Sequence, residues 1–328
     1  MKNDHATKSV SIVIPVYHGE QTLSELTSRI AAVLQPLEYK FEIILVNDGS
    51  KDHSWETICK LASEHSWIRG FDLMQNYGQH NALLIGVRAA LYENVVTMDD
   101  DLQHPPEEIP ALLNVLSETC FIAYGMPREL RHSLLRNLSA RGTKFLLHRF
   151  MGMKSMTDTS PFRAFHTELR DAFSVYNGPY VDIDALLIWA TDRRCAIQLN
   201  FDRRHSGASS YTLKKLIEHT LNMVVDFSVI PLRLADYIGF ALTLFGVFIL
   251  GKVLVGYFFL GGSIPGFPFL ASIISIFSGA QLFSLGIIGE YVIRIHFRIM
   301  GKPTAVIRRQ AGTHGSDVSR TVELSKTL

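Results

Sequence analysis

Over residues 10–204 the chain alternates short runs rich in Val, Ile and Phe with longer stretches in which apolar residues return every three or four positions. That is the pattern of strands alternating with helices that bury one face. The spacing predicts a strand over 10–14, stopped by Pro15, a helix over 21–34 and a strand over 41–46. Asn47-Asp48-Gly49-Ser50 makes the turn that follows, and Asp52 is placed to cap a helix over 54–63. A strand over 68–73, a helix with small residues over 80–91 and a strand over 95–98 come next, the last leading into Asp99-Asp100-Asp101. Pro105-Pro106 suits the start of a helix that runs to 116, and 120–124 reads as a further strand. This order predicts an α/β fold with a mostly parallel sheet.

The pattern changes after Arg233. Residues 237–260 are apolar except for Lys252, and a second apolar run covers 267–289 after Gly261-Gly262-Ser263-Ile264-Pro265-Gly266. A helix over the first run is roughly 36 Å long, enough to cross a bilayer with some tilt. The connecting loop carries no charge, whereas Lys214, Lys215 and Arg233 precede the first run and Arg294, Arg298, Lys302, Arg308 and Arg309 lie at or beyond the end of the second. The expectation is an integral membrane protein with a two-helix hairpin and both termini cytoplasmic. Before the hairpin, residues 211–234 mix Lys214 and Lys215 with apolar residues, as amphipathic helices lying in the bilayer interface do.

At 328 residues and 47% hydrophobic content the chain has ample material for a core. A net charge of +1, without zinc-finger spacing or an RNA-binding signature, excludes an overall pull toward nucleic acid. Cys59, Cys120 and Cys195 lie far apart without CxxC spacing, so the sequence predicts three unbridged, small buried hydrophobes in a reducing compartment. The polar start, residues 1–8, predicts no cleavable secretory signal.

Candidate chemistry gathers where strands end. On an extended backbone side chains alternate, so Asp99 and Asp101 are expected on one side, able to share a hard divalent cation, and Asp100 on the other. Open sheets bind ligands beyond the carboxyl ends of their strands, where three polar turns should converge: Pro15 to Glu20, Asn47 to Ser50 and Asp99 to Gln103. The first turn lacks GxGxxG, which disfavours a Rossmann-bound dinucleotide. Tyr17 instead offers an aromatic face, Glu20 a carboxylate, and Asp48 an acceptor for ribose or base donors, which together suit a nucleotide sugar.

With Pro15-Val16-Tyr17, Asn47-Asp48-Gly49-Ser50, Asn76-Tyr77-Gly78-Gln79-His80, Asp99-x-Asp101-Leu102-Gln103 and Pro105-Pro106 in that order, the chain resembles glycosyltransferase family 2. It is most similar to the membrane-anchored polyprenyl-phosphate glycosyltransferases. The likeness continues through Phe162-Arg163-Ala164-Phe165, Arg204 with Gly207 and Tyr211, Pro231-Leu232-Arg233-Leu234 and Gly289-Glu290-Tyr291. The resemblance implies a GT-A (Rossmann-like) catalytic domain over 1–210, juxtamembrane interface helices over 211–235, a transmembrane hairpin over 236–296 and a cytoplasmic tail over 297–328, in a bacterial plasma membrane. It implies that Pro15, Tyr17, Glu20 and Asp48 hold the nucleotide, that Asp99, Asp101 and Gln103 sit at the diphosphate and a Mg²⁺ or Mn²⁺ ion, and that Arg204 adds a cation there. Arg128 and Arg136 match its acceptor-phosphate arginines, and guanidinium chemistry suits that task.

The implied reaction is inverting transfer of a sugar, UDP-glucose being the generic donor and formamido-arabinose the alternative, onto a polyprenyl (undecaprenyl-type) phosphate. A homo-oligomer is left open. The chain departs from the pattern at two places. It reads Ser209-Ser210-Tyr211 where many relatives have a lysine near the diphosphate, and Pro161 where some carry a proposed catalytic aspartate. Asp158 is then the candidate base. A lipid phosphate is already mostly dianionic at neutral pH, its second pKa being about 6, so a base need not be required. A processive polysaccharide synthase is the first rival, disfavoured by too few spans and no QxxRW motif; a non-catalytic membrane scaffold is the second.

Overall fold

A computed structural model of the chain describes residues 8–128, 159–174, 176, 181–202, 230–259, 266–301 and 303–312. The chain divides into two compact units, one built on a sheet and the other on two long helices. In the first unit β1 (Ser9–Val16), α1 (Leu23–Leu34), β2 (Lys40–Asn47), α2 (Ser54–Glu64), β3 (Ile68–Leu73), α3 (Gln79–Ala89) and β4 (Asn94–Thr97) follow one another. A 3₁₀ turn (Pro106–Glu108), α4 (Ile109–Val115), β5 (Ile122–Pro127), β6 (Arg163–His166), a 3₁₀ segment (Thr167–Phe173), α5 (Ile183–Ala190) and β7 (Arg194–Leu199) complete the series, with β8 (Ile307–Ala311) near the C-terminus.

The eight strands lie in the order β7-β5-β6-β4-β1-β2-β3-β8. β6 runs antiparallel to both its neighbours and β8 antiparallel to β3, so the sheet is mixed rather than wholly parallel. Strand alternation sorts the two cores. Val10, Ile12, Ile14 and Val16 of β1 belong to the core with α1, α2 and α4, while Val13 faces α3 in the opposite core, which α5 also enters farther along the sheet. α3 comes so close that a Cβ on Gly86 would stand 2.3 Å from the Val13 Cγ1.

Pro15 does not stop β1, which pairs with β2 as far as Val16 opposite Asn47. The Val13 carbonyl accepts from the Met98 N–H at 3.3 Å, so alternate residues, Pro15 among them, turn their amides toward β4. The β1–β4 ladder has already ended at Val13 opposite Thr97, and the missing proline N–H costs no bond.

The cysteine expectation fails for two of the three. Cys120 and Cys195, 75 residues apart, form a disulfide with their Cα atoms 5.8 Å apart, because β5 and β7 are adjacent parallel strands. Cys59 is free and half-buried. A second difference concerns the segment read as a tail, which supplies β8 to the sheet edge.

The second unit contains α6 (Ile230–Phe259) and α7 (Gly266–Ile299). They lie side by side, with Gly246 close under the Phe277 ring: a Cβ there would be 2.9 Å from its Cζ. Within α7, residues Ile276–Ile299 form a 24-residue stretch long and apolar enough to cross a membrane. In α6 the described apolar stretch Ala235–Ile249 is shorter. Outward-facing Phe248, Leu282 and Phe259 show that both helices present apolar surface.

Candidate functional site

The carboxyl ends of β1, β2 and β4 open on a cavity of about 320 Å³ lined by Pro15, Val16, Tyr17, Asp48, Asn76, Gly78, Gln79, Asp99, Asp100 and Asp101. Five residues singled out from the sequence, Pro15, Tyr17, Asp48, Asp99 and Asp101, therefore meet in one wall. Tyr17 is 51% exposed and stands at the mouth, its ring edge-on to His18 at 4.3 Å.

Asp48 is 3% exposed, and both of its oxygens are engaged. Oδ1 accepts from the Tyr77 N–H at 2.7 Å and Oδ2 from the Gly78 N–H at 2.9 Å, so the carboxylate clamps the loop between β3 and α3. Burial pushes this carboxyl above its ordinary range, against the two backbone bonds that favour its ionised form. Gly78 must be glycine at φ +94° to present its N–H there. Gly49, at φ +65°, leaves room for the same loop, since a Cβ would be 2.6 Å from the Asn76 nitrogen.

The acidic triplet differs from the alternation argument. β4 ends at Thr97, and the chain turns through Leu102 at φ +61°, so Asp99, Asp100 and Asp101 all line the cavity. Each carboxylate is held. Asp99 Oδ1 accepts from Gln79 Nε2 at 2.6 Å, Asp100 Oδ2 from the Tyr17 N–H at 3.2 Å, and Asp101 Oδ2 from Gln103 Nε2 at 2.6 Å. Burial pushes the Asp99 carboxyl upward. Asp100 rises to about 7, through burial first and then the negative charges of Asp99 and Asp101, although the Tyr17 N–H acts the other way.

Beneath the triplet, the Asp99 N–H donates to Nδ1 of buried His104 at 3.1 Å, and the His104 ring stacks on Phe162 at 5.2 Å. Burial lowers the His104 pKa, which fits an imidazole whose Nδ1 is an acceptor. Two residues before Asp99, Thr97 donates to the Pro161 carbonyl at 2.7 Å and accepts from Nε of fully buried Arg163, which also pairs with Asp184 of α5. The floor of the cavity is thus braced from β6 and α5.

The profile of Glycosyl transferase family 2 matches residues 11–175, half of the chain. The chain belongs to glycosyltransferase family 2. It is 32% identical over 327 residues, covering 98% of this chain and 100% of the relative, to the undecaprenyl-phosphate 4-deoxy-4-formamido-L-arabinose transferase of Yersinia enterocolitica. It is 31% identical over 328 residues, with the same coverage, to the enzyme of that name from Yersinia pestis. The fold is shared with glucosyl-3-phosphoglycerate synthase of Mycobacterium tuberculosis, solved with Mn²⁺, UDP and glucosyl-3-phosphoglycerate: TM-score 0.50, 20% identity, 67% of this chain and 78% of that one covered.

Other residues of this glycosyltransferase sit differently from their sequence-based expectation. Glu20 is not in the cavity wall; its Oε2 accepts from the His53 N–H at 2.8 Å, at the start of α2. Gln103 is likewise outside the wall and steadies Asp101 through both its side chain and its N–H, the latter at 3.1 Å. Arg128 is exposed at the end of β5, its N–H donating to the Leu199 carbonyl at 3.1 Å. Arg136, Asp158 and Arg204, together with the juxtamembrane segment carrying Lys214 and Lys215, lie outside the described residues.

The cavity wall also includes residues that the polar turns do not single out. Asn76, Gly78 and Gln79 belong to a sequence motif and prove to be wall, and Asp100, expected on the opposite side from Asp99 and Asp101, lines the cavity with them. His104 carried no signal except its place after the triplet. Among the described residues no three acidic, His or Cys side chains are gathered closely enough to hold an ion by themselves.

Proposed function

We propose that this protein transfers a sugar from a UDP-sugar to the phosphate of a polyprenyl lipid of the undecaprenyl type, inverting the anomeric centre. The observation that carries the reading is the single cavity in which Tyr17 and the Asp48-held loop face three adjacent carboxylates. Full-length similarity to transferases named for undecaprenyl phosphate supports the acceptor.

In this reading Tyr17 and Pro15 flank the base, and Asp48 shapes the pocket through residues 76–78. The carboxylates of Asp99, Asp100 and Asp101 fit a hard cation: each spends part of its acceptor capacity on an internal bond and keeps further lone pairs. These residues would hold the ion together with the donor's diphosphate rather than by themselves. When bound, Mg²⁺ or Mn²⁺ supplies neutralisation of the charge that develops on the departing diphosphate. Gln79 and Gln103 keep Asp99 and Asp101 aimed. Arg204 would add positive charge at the diphosphate, and Arg128 and Arg136 would draw in the lipid phosphate.

In the transfer itself, a phosphate oxygen of the lipid bonds to the anomeric carbon as the bond from that carbon to the diphosphate oxygen breaks, releasing UDP. The attacking dianion gives up no proton, so placement is the main task and Asp158 is not needed as a base. α6 and α7 form the membrane hairpin, with the sheet domain on the cytoplasmic side. The relatives favour formamido-arabinose as the sugar, with glucose as the competitor.

Membranes containing the protein, given polyprenyl phosphate and radiolabelled UDP-glucose or UDP-formamido-arabinose, should pass label into organic extract, and EDTA should stop it. Tight UDP binding with no labelled lipid from any donor would replace this reading with a nucleotide-binding scaffold.

A further inference from the structure

We infer that β8 is a strap for the wall of the donor cavity and that Arg309 is a positioning residue for nucleotide binding, an inference that rests on reading the cavity as the UDP-sugar site. Two independent connections run from β8 to that wall.

The first passes through side chains. Arg309 Nε and Nη2 donate to Asp72 Oδ2 at 2.9 and 2.8 Å, and Asp72 Oδ1 accepts from Asn47 Nδ2 at 2.7 Å. Asp72 is 3% exposed and sits opposite Asn47 in the β2–β3 register, and Asn47 directly precedes Asp48. A buried carboxylate whose charge is met by a guanidinium fork is held in one orientation, and it orients the Asn47 amide in turn. Arg309 is itself placed by the Trp55 ring, 5.1 Å below its guanidinium carbon.

The second connection is the backbone. The Met74 N–H donates to the Val306 carbonyl at 2.9 Å, and β3 pairs with β8 from Gly70 opposite Ala311 to Leu73 opposite Ile307. Two residues beyond Met74 the chain enters the cavity wall at Asn76. The loop over 75–78 is therefore anchored at its far end by Asp48 and at its near end by β8. Without β8, β3 would be the open edge of the sheet, and the loop would leave from a strand paired on one side only.

Full-length wild type, Arg309→Gln and Arg309→Lys in detergent would be compared by UDP calorimetry, by donor and acceptor KM, and by hydrogen exchange at the Tyr77 and Gly78 amides. Arg309→Gln should raise the UDP Kd and the donor KM by about fivefold or more, with kcat and acceptor KM unchanged and the two amides exchanging faster. Arg309→Lys, which offers a point charge in place of a fork, should fall between. Adding Asp72→Asn to Arg309→Gln should recover part of the loss, because the stranded buried charge is gone.

UDP affinity and amide exchange both matching wild type, or a lowered Tm with the donor KM intact well below it, would overturn the inference. If Arg309→Gln does not fold, the same comparison is read on Arg309→Lys. If wild type itself binds no UDP, the donor reading fails separately, and the strap is then decided by amide exchange: acceleration at Tyr77 and Gly78 sustains it, and no change overturns it.

Discussion

Replacing Asp48 by Asn tests whether this residue works as a clamp. The carboxylate accepts one N–H on each oxygen, from Tyr77 at 2.7 Å and Gly78 at 2.9 Å. An asparagine has one acceptor oxygen and one NH₂, so in either flip one of those N–H groups faces another donor. One charge-assisted bond, worth about 1.5–3 kcal/mol, is lost and the other becomes neutral. Relief of the buried charge that now raises the Asp48 pKa offsets part of this. A net cost of about 2 kcal/mol corresponds to about a thirtyfold larger open population of the loop. Hydrogen exchange in the nucleotide-free protein should show the Tyr77 and Gly78 amides accelerated by that order, with the β1 and β2 amides unchanged, and UDP binding weakened in parallel. Unchanged exchange at these amides together with lost UDP binding would refute the clamp and return Asp48 to direct contact with ribose or base.

Asp101→Asn should abolish label transfer to lipid while the protein still extracts with the membrane fraction; near-normal turnover would remove this residue from the metal assignment. Mn²⁺ affinity should rise with pH, because the cation competes with a proton on Asp100, whose carboxyl titrates at about 7. Between pH 6 and pH 8 the ionised fraction grows about tenfold, so the Mn²⁺ Kd read by electron paramagnetic resonance should fall about tenfold, and Asp100→Asn should flatten the profile. Gly19→Ala places a Cβ 2.6 Å from Asp100 Oδ2, the atom that accepts from the Tyr17 N–H. That variant should weaken Mn²⁺ and UDP binding with little change in Tm; wild-type affinities would show that the Asp100–Tyr17 contact is dispensable.

Local pattern was sufficient for much of this protein. The strands from β1 to β4 and the helices between them follow from short β-branched runs and three-to-four spacing, since each buries a face set by its own periodicity. The turns at Tyr17, Asp48 and Asp99 were legible as a site because parallel strands must deliver their carboxyl ends to one edge. What the sequence by itself could not decide depends on which distant segments become neighbours. Cys120 meets Cys195 only because β5 lies beside β7, and β8 becomes part of the sheet only by pairing with β3, which is distant in the chain.

The same holds inside the site. Asp100 faces the cavity because β4 stops at Thr97 and alternation stops with it, while Glu20 turns to the start of α2 because an unpaired N–H at His53 is within its reach. Periodicity along the chain fixes what each segment buries, but register, strand order and hydrogen-bond competition across 30 to 240 residues are settled only when the segments pack, as the 31-residue Ser11–Glu42 and 237-residue Asp72–Arg309 separations show.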